Sequence, residues 1–498
     1  MLILDPTAVT LATLRQLWGG APSQLDNASM ARVRAAAASV ERIVAGGETV
    51  YGVNTGFGLL ANTRIPENRL AELQRNLILS HSCGLGDALP RHIVRLMIVL
   101  KMLGLGRGYS GVRPLVIDAL QALLDHDAMP LIPSQGSVGA SGDLAPLAHM
   151  ISALLGEGKI DLCGEILPAR EALERIGLSP LELGPKEGLA LINGTQASTA
   201  IALDALFLAE RVFWSAIGAG ALSVDALKGS IKPFDARLSQ VRGQPGQIRV
   251  AAAIRDHLAG SQIVESHHRC GKVQDPYSFR CQPQVMGAVF DLLTNAGRTL
   301  EIEAAAVTDN PVVFEDDDSV ISGGNFHAQP VAFAADIIAM ALCEIGSLSE
   351  RRTSVLVDPK MSGLPAFLTD DGGVNSGLMI PQVTAAALTS ENKTLAFPAS
   401  VDSIPTSAGQ EDHVSMAPIA ARKARTIAIN AAGVIAVELI AAAQGVDYHA
   451  PLKTSTSLQA LHDKVRALSP HLETDRYWAD EMAALQAAVL AGELVDIG

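Results

Sequence analysis

The sequence predicts an all-α protein, with an irregular N-terminal part over residues 1–200 and a central and C-terminal region of long bundled helices over 201–498. Three observations predict it. The composition is 48% hydrophobic but only 4% aromatic, so the apolar mass is aliphatic, which favours helices packed closely through small side chains. The run beginning at Thr195 and the runs 331–348 and 427–443 are apolar on nearly every side, and a helix that is apolar all round is buried all round. Alternating apolar and polar positions, the mark of half-buried strands, are scarce.

Within residues 1–200, short helical patterns are interrupted by glycine and proline, as in TGFG at 55–58 and GLGRGYSG at 104–111. Such breaks mark turns and loops. The runs 331–348 and 427–443 are long enough to raise the question of a membrane span. The first carries Asp336 and Glu344 and the second Asn430 and Glu438; polar groups inside such runs suit buried bundle helices, so no membrane association is expected. The apolar surplus instead predicts subunit interfaces that bury part of it. A net charge of −14 with no basic stripe argues against nucleic acid as a partner. Cys83, Cys163, Cys270, Cys281 and Cys343 are odd in number and contain no CxxC, so neither a disulfide framework nor a zinc site is signalled. A reduced, cytosolic chain is the plain expectation, and the N-terminal run lacks the basic head of a signal peptide.

Several common motifs fail on context. Residues 106–111 match GxGxxG, but the preceding IVRLMIVLKML is longer than a typical strand and carries Arg95 and Lys101. It reads as a helix ending at glycine rather than the strand a dinucleotide site requires. Asn193-Gly194-Thr195 forms a glycosylation sequon without a secretion signal to give it meaning. His267-His268 has no HExxH around it, so no metal is expected. GxSxG is absent because Asp143 stands where its last glycine would be.

The stretch GSVGASGDLAPL, 136–147, carries more. Its bland reading is a glycine-rich turn ahead of a helix that begins near Pro146 and ends near Gly156. Its chemical reading uses the same residues. Attack of the Gly142 backbone nitrogen on the Ala140 carbonyl carbon closes a five-membered ring. Loss of water from the ring, and of a second water from Ser141, leaves an exocyclic methylene conjugated to it. The nucleophilic nitrogen must be uncrowded, hence glycine; the neighbour must be small, hence alanine; and a β-hydroxyl must be present to leave, hence serine. The following helix turns its positive end toward this segment.

Ala140-Ser141-Gly142 within GSVGASGDLAPLAHM resembles the signature of the aromatic amino acid ammonia-lyases, and the resemblance runs from YGVNTGFG at 51 through QEDHVSM at 410. It implies the fumarase/aspartase-like helical architecture, a 4-methylideneimidazol-5-one (MIO) group made from Ala140, Ser141 and Gly142, no metal, and a homotetramer whose active sites combine loops of several subunits. The remaining site residues each have a bland reading beside the one the resemblance implies. Tyr51 reads as a buried tyrosine beside a glycine turn; the family has a base or proton relay there. Asn193 reads as a helix cap, with Gln196 three residues on; the family places it by the ring and the substrate carboxylate. Gln274, Tyr277 and Arg280 lie in KVQDPYSFRCQPQV. They read as a turn with a solvated arginine, whereas the family pairs the arginine with the substrate carboxylate, for which its planar fork is suited. Phe326 reads as core, or as the ring's packing partner. Ser407 and Gln410 are spaced as a capping box ahead of Glu411; in the family's histidine-specific members the matching glutamate faces the substrate imidazole.

Ser80-His81 in ILSHSCG matches those same members. A site built on His81 and Glu411 leaves buried polar groups unpaired if phenylalanine enters, which discriminates strongly. The resemblance therefore implies L-histidine as substrate, with trans-urocanate and ammonia as products. One departure is Gly409, where asparagine is expected. The alternatives are a phenylalanine or tyrosine ammonia-lyase, an aminomutase, or a helical binding protein that keeps the scaffold with an unmodified tripeptide.

Overall fold

The computed structural model describes residues 1–46, 52, 55, 65–266 and 273–494. Tyr51, His267, His268 and Cys270 lie outside the described residues. The chain is predominantly helical, as its patterning predicts. The three apolar runs fall within the helices Gln196–Ala226, Gln329–Val357 and Ala417–Asp447. Among the described residues the strands are all three or four residues long and form small two- and three-stranded ribbons. Their pairing is local: Lys159–Leu162 runs antiparallel to both Ala128–Pro130 and Glu165–Pro168, and Val312–Phe314 is antiparallel to Ser319–Ile321. The GxGxxG segment follows the helix Arg91–Gly106, so it is a helix ending and not a strand-to-helix phosphate loop.

The chain divides into two compact units. The first comprises residues 1–204, 297–336 and 398–422; the second comprises 205–296, 337–397 and 423–498. The first boundary lies beside the expected division at 200/201, but two later segments return to the first unit. In that unit the helices Leu70–His81, Leu144–Leu154 and Glu187–Ile192 pack on one another. Gln74 fastens two of them, its Oε1 accepting from the Gly188 N–H at 2.9 Å. The helix Leu144–Leu154 carries Pro146 in its first turn and is followed by Gly156 at φ +79°, matching the sequence-based boundaries.

The second unit contains stretches of the long helices, and small residues set how closely they approach. A Cβ on Gly220 would lie 2.0 Å from Gln282 Oε1, so a side chain there would have to displace the Gln282 amide. The acid that interrupts the run 427–443 has a partner. Glu438 and Arg352, both fully buried, form a two-pronged ion pair, with Arg352 Nη2 donating to Glu438 Oε2 at 2.7 Å. Ser223 Oγ also donates to Glu438 at 2.7 Å. Asp336, in the first unit, is buried and accepts from the Ser400 N–H at 2.8 Å. Truncating one member of a buried pair leaves an uncompensated charge. Glu438→Ala is expected to destabilise the fold by ~3–5 kcal/mol, read as a lower denaturation midpoint.

Candidate active site

Three helix ends in the first unit converge on a cavity of about 900 Å³. His81 closes the helix Leu70–His81, Ser141 and Gly142 precede the helix Leu144–Leu154, and Asn193 follows the helix Glu187–Ile192. Ala140, Ser141, His81, Asn193, Phe326 and Glu411 all line the cavity. Sequence reasoning named each of them, and the fold brings them together.

The tripeptide sits in a tight backbone clamp. On one side Gly142 forms a parallel bridge with Gly194, and the Asp143 N–H donates to the Gly194 carbonyl at 2.7 Å. On the other, Ser415 Oγ donates to the Gly139 carbonyl at 2.9 Å and the Met416 N–H to the Val138 carbonyl at 2.8 Å. Gly142 has φ +73°, and a Cβ there would lie 2.2 Å from the Gly194 carbonyl oxygen. No other residue fits. Two helices begin beside this point, Leu144–Leu154 and Gln196–Ala226, and their N-terminal ends favour negative charge. Asp143 exploits the second of these: fully buried, it accepts from the Ser198 N–H at 2.6 Å and from Ser198 Oγ at 2.8 Å. Burial nonetheless pushes its carboxyl up to about 6, against the pull of those hydrogen bonds.

Asn193 is not the helix cap that its spacing suggests. It ends one helix with extended backbone at φ −83°, ψ 132°, and the next helix begins at Gln196. Its side chain turns sideways, with Nδ2 donating to the Ser141 carbonyl at 2.7 Å. Beneath it lies a residue that sequence reasoning read only as an interruption of an apolar run. Lys101, buried, donates from Nζ to the carbonyls of Ala190 at 3.1 Å and Asn193 at 2.9 Å, fastening the end of the helix Glu187–Ile192. Burial pulls its ammonium down to about 7, against the fields of Asp309 and Asp143. The only available signal was a charge at a position whose helical neighbours are all apolar.

The capping box expected at Ser407–Gln410 is absent. Ser407–Gly409 forms a single 3-10 turn, and the next helix starts at Ala417. Ser407 and Ala408 adopt positive φ, +51° and +56°, which bars the helical start. Ser407 Oγ donates instead to Glu411 Oε2 at 2.9 Å, and Thr406 Oγ1 donates to the same oxygen at 2.6 Å. Ser141 Oγ donates to Glu411 Oε1 at 2.5 Å. Burial alone would push the Glu411 carboxyl up, but these three hydroxyl bonds outweigh it and hold it below the usual carboxylate range, helped by nearby His81. Gly409 has φ +86°, a conformation that asparagine also tolerates, and the space about it is open.

His81 Nδ1 lies 2.8 Å from the Leu77 carbonyl. A carbonyl only accepts, so Nδ1 carries a hydrogen toward it. Phe326 is half-buried and lines the cavity rather than filling the core. Gln274, Tyr277 and Arg280 belong to the second unit. There Gln274 is exposed and Tyr277 is 72% exposed. The Arg280 guanidinium lies 4.5 Å from the Tyr277 ring centre, and its Nε is buried with no partner among the described residues. Tyr51 is outside the described residues. Among the described residues no cluster of three or more His, Cys, Asp or Glu side chains is arranged to hold a metal.

The chain as a whole is similar to known proteins. Residues 9–467 match the family model described as aromatic amino acid lyase. Over 486 residues, 97% of this chain and 95% of the other, the sequence is 57% identical to a histidine ammonia-lyase of Paracidovorax citrulli (strain AAC00-1). The fold matches the crystal structure of histidine ammonia-lyase from Trypanosoma cruzi with a TM-score of 0.92 and 39% identity, covering 99% of this chain and 94% of that one. It also matches a tyrosine aminomutase from Streptomyces globisporus with a TM-score of 0.94 and 35% identity, covering 99% and 97%. A family model spanning most of the chain, and a relative 57% identical along nearly all of it, settle one point: this chain belongs to the aromatic amino acid lyase family.

Proposed function

We propose that the chain is a histidine ammonia-lyase, releasing ammonia from L-histidine to leave trans-urocanate, and that Ala140, Ser141 and Gly142 condense to an MIO group. The observation that carries the reading is the meeting of Ser141, Glu411, His81 and Asn193 in one cavity. The residues present fit the group. Gly142 is bare where any side chain would strike Gly194, Ala140 is small and 7% exposed, and Ser141 holds the hydroxyl that has to leave. Once formed, the group supplies an electrophilic methylene carbon that draws electrons from the substrate and turns its amine into a better leaving group.

The chain's own residues do the rest. Glu411, held ionised by its hydroxyl partners, accepts the substrate's imidazole N–H or takes the β-proton, a role shared with Tyr51. His81 offers the ring a second polar partner. Asn193 and Arg280 hold the carboxylate, the latter as a planar pair of donors, with Gln274 and Tyr277 beside it. We place Arg280, Gln274 and Tyr277 in a site assembled by a homotetramer, which also accounts for exposed apolar side chains such as Val383 and Phe397. The exposed free thiols of Cys83 and Cys163 suit a reducing, cytosolic setting.

Comparing ammonia release from L-histidine, L-tyrosine and L-phenylalanine tests the assignment. We expect kcat/KM for L-histidine to exceed the other two by ~10⁴-fold, because either of those would strand the polar groups of His81 and Glu411. A preference for L-tyrosine or L-phenylalanine, or a β-amino acid product, would replace the reading with a lyase or aminomutase for a different side chain.

A further inference from the structure

We infer that Thr406 and Ser407 are positioning residues for substrate recognition: they pin one oxygen of Glu411, so that the other, occupied by Ser141 before condensation, is released to the substrate imidazole when the Ser141 hydroxyl leaves. This inference rests on the function proposed above.

The geometry divides the carboxylate into two halves. Both Thr406 Oγ1, at 2.6 Å, and Ser407 Oγ, at 2.9 Å, donate to Oε2. Among the described residues, Oε1 receives only Ser141 Oγ, at 2.5 Å. The three donors have different fates. Condensation expels Ser141 Oγ as water together with the Ser141 Cα hydrogen, creating a carbon–carbon double bond, and nothing in that reaction touches Thr406 or Ser407. The mature chain therefore keeps both donors on Oε2 and loses the donor on Oε1. An anionic oxygen that has just lost its hydrogen bond inside a cavity requires a new donor, and the imidazole N–H of histidine is one. A phenyl ring offers none.

The loop is built to present these hydroxyls. Thr406 and Glu411 are bridged antiparallel, the Thr406 N–H donating to the Glu411 carbonyl at 2.9 Å and the Glu411 N–H to the Thr406 carbonyl at 3.3 Å. Between them Ser407, Ala408 and Gly409 turn consecutively with φ of +51°, +56° and +86°. Two successive non-glycine residues in the left-handed region are costly. The turn they make folds the Thr406 and Ser407 hydroxyls back onto the acid at the far end of the same loop.

The test compares two inhibitors that differ only in the ring, imidazole-4-propionate and 3-phenylpropionate, on the assembled enzyme. Thr406→Val and Ser407→Ala, singly and together, are expected to weaken imidazole-4-propionate by ~10-fold and to leave 3-phenylpropionate unchanged. KM for L-histidine should rise with kcat changing less, and Thr406→Ser should restore both. Intact mass confirms that each variant still loses two waters. If a variant fails to condense, the same pair of ligands is titrated by calorimetry in the Ser141→Ala background, where Oε1 is already free, with the same expected selectivity. Equal weakening of both inhibitors, or of neither, overturns the inference while leaving the proposed function intact. Failure of the unsubstituted chain to deaminate L-histidine overturns the function and this inference with it.

Discussion

Replacing Ser141 with alanine is expected to abolish deamination, lowering kcat by more than ~10⁴-fold, the scale on which loss of a covalent catalytic group acts. The substitution adds no atoms, so the clamp around the tripeptide is undisturbed. It removes the hydroxyl whose departure creates the electrophile. The chain should then have the mass of the unmodified sequence less one oxygen. Gly142→Ala reaches the same endpoint by a different physical route. It adds a methyl group that would lie 2.2 Å from the Gly194 carbonyl oxygen, at a residue with φ +73°. The backbone must open there, and the Gly142 nitrogen is carried away from the Ala140 carbonyl. Both variants keeping all their water and losing activity separates failure to condense from loss of a single side-chain contact.

The second large effect is expected at Glu411. Glu411→Gln preserves the shape and an acceptor for Thr406 and Ser407 but removes the charge. With L-histidine, kcat/KM should fall ~10²–10⁴-fold, the usual loss for a positioned acid or base. Condensation at Ser141 should survive, because the neutral amide also bonds the serine hydroxyl. A variant that is fully dehydrated yet nearly inactive places Glu411 in the reaction rather than in the assembly of the group. A rate within a few-fold of the unsubstituted enzyme would move proton transfer to another residue, Tyr51 first.

The long helices were legible in the sequence because being apolar on all sides leaves a chain few other options. The boundaries at Pro146 and Gly156 were legible for a similarly local reason: each residue's backbone preference is intrinsic. The site was legible as a list of residues, through long motifs, but not as an arrangement. Nothing in composition tells that residues 297–336 and 398–422 return to the first unit, where acids such as Asp309 and Glu411 find partners in Lys186 and Ser141. Asn193 and Ser407 both fit helix-capping patterns; Asn193 instead bonds across the fold to Ser141, and Ser407 bonds Glu411 four residues on in the same loop. A local pattern cannot anticipate a stronger partner brought in from elsewhere. Lys101 illustrates the same limit from within a helix. Its buried ammonium supports the Asn193 carbonyl from a run that otherwise reads as core.

The most direct measurement is a peptide map of freshly assembled, catalytically active enzyme, with the fragment containing Ala140, Ser141 and Gly142 weighed and sequenced. Internal condensation predicts a fragment two waters lighter than its sequence, resistant to cleavage at the tripeptide and carrying a carbon that adds nucleophiles. Recovery of an ordinary Ala-Ser-Gly peptide from enzyme that deaminates L-histidine at its full rate would contradict it.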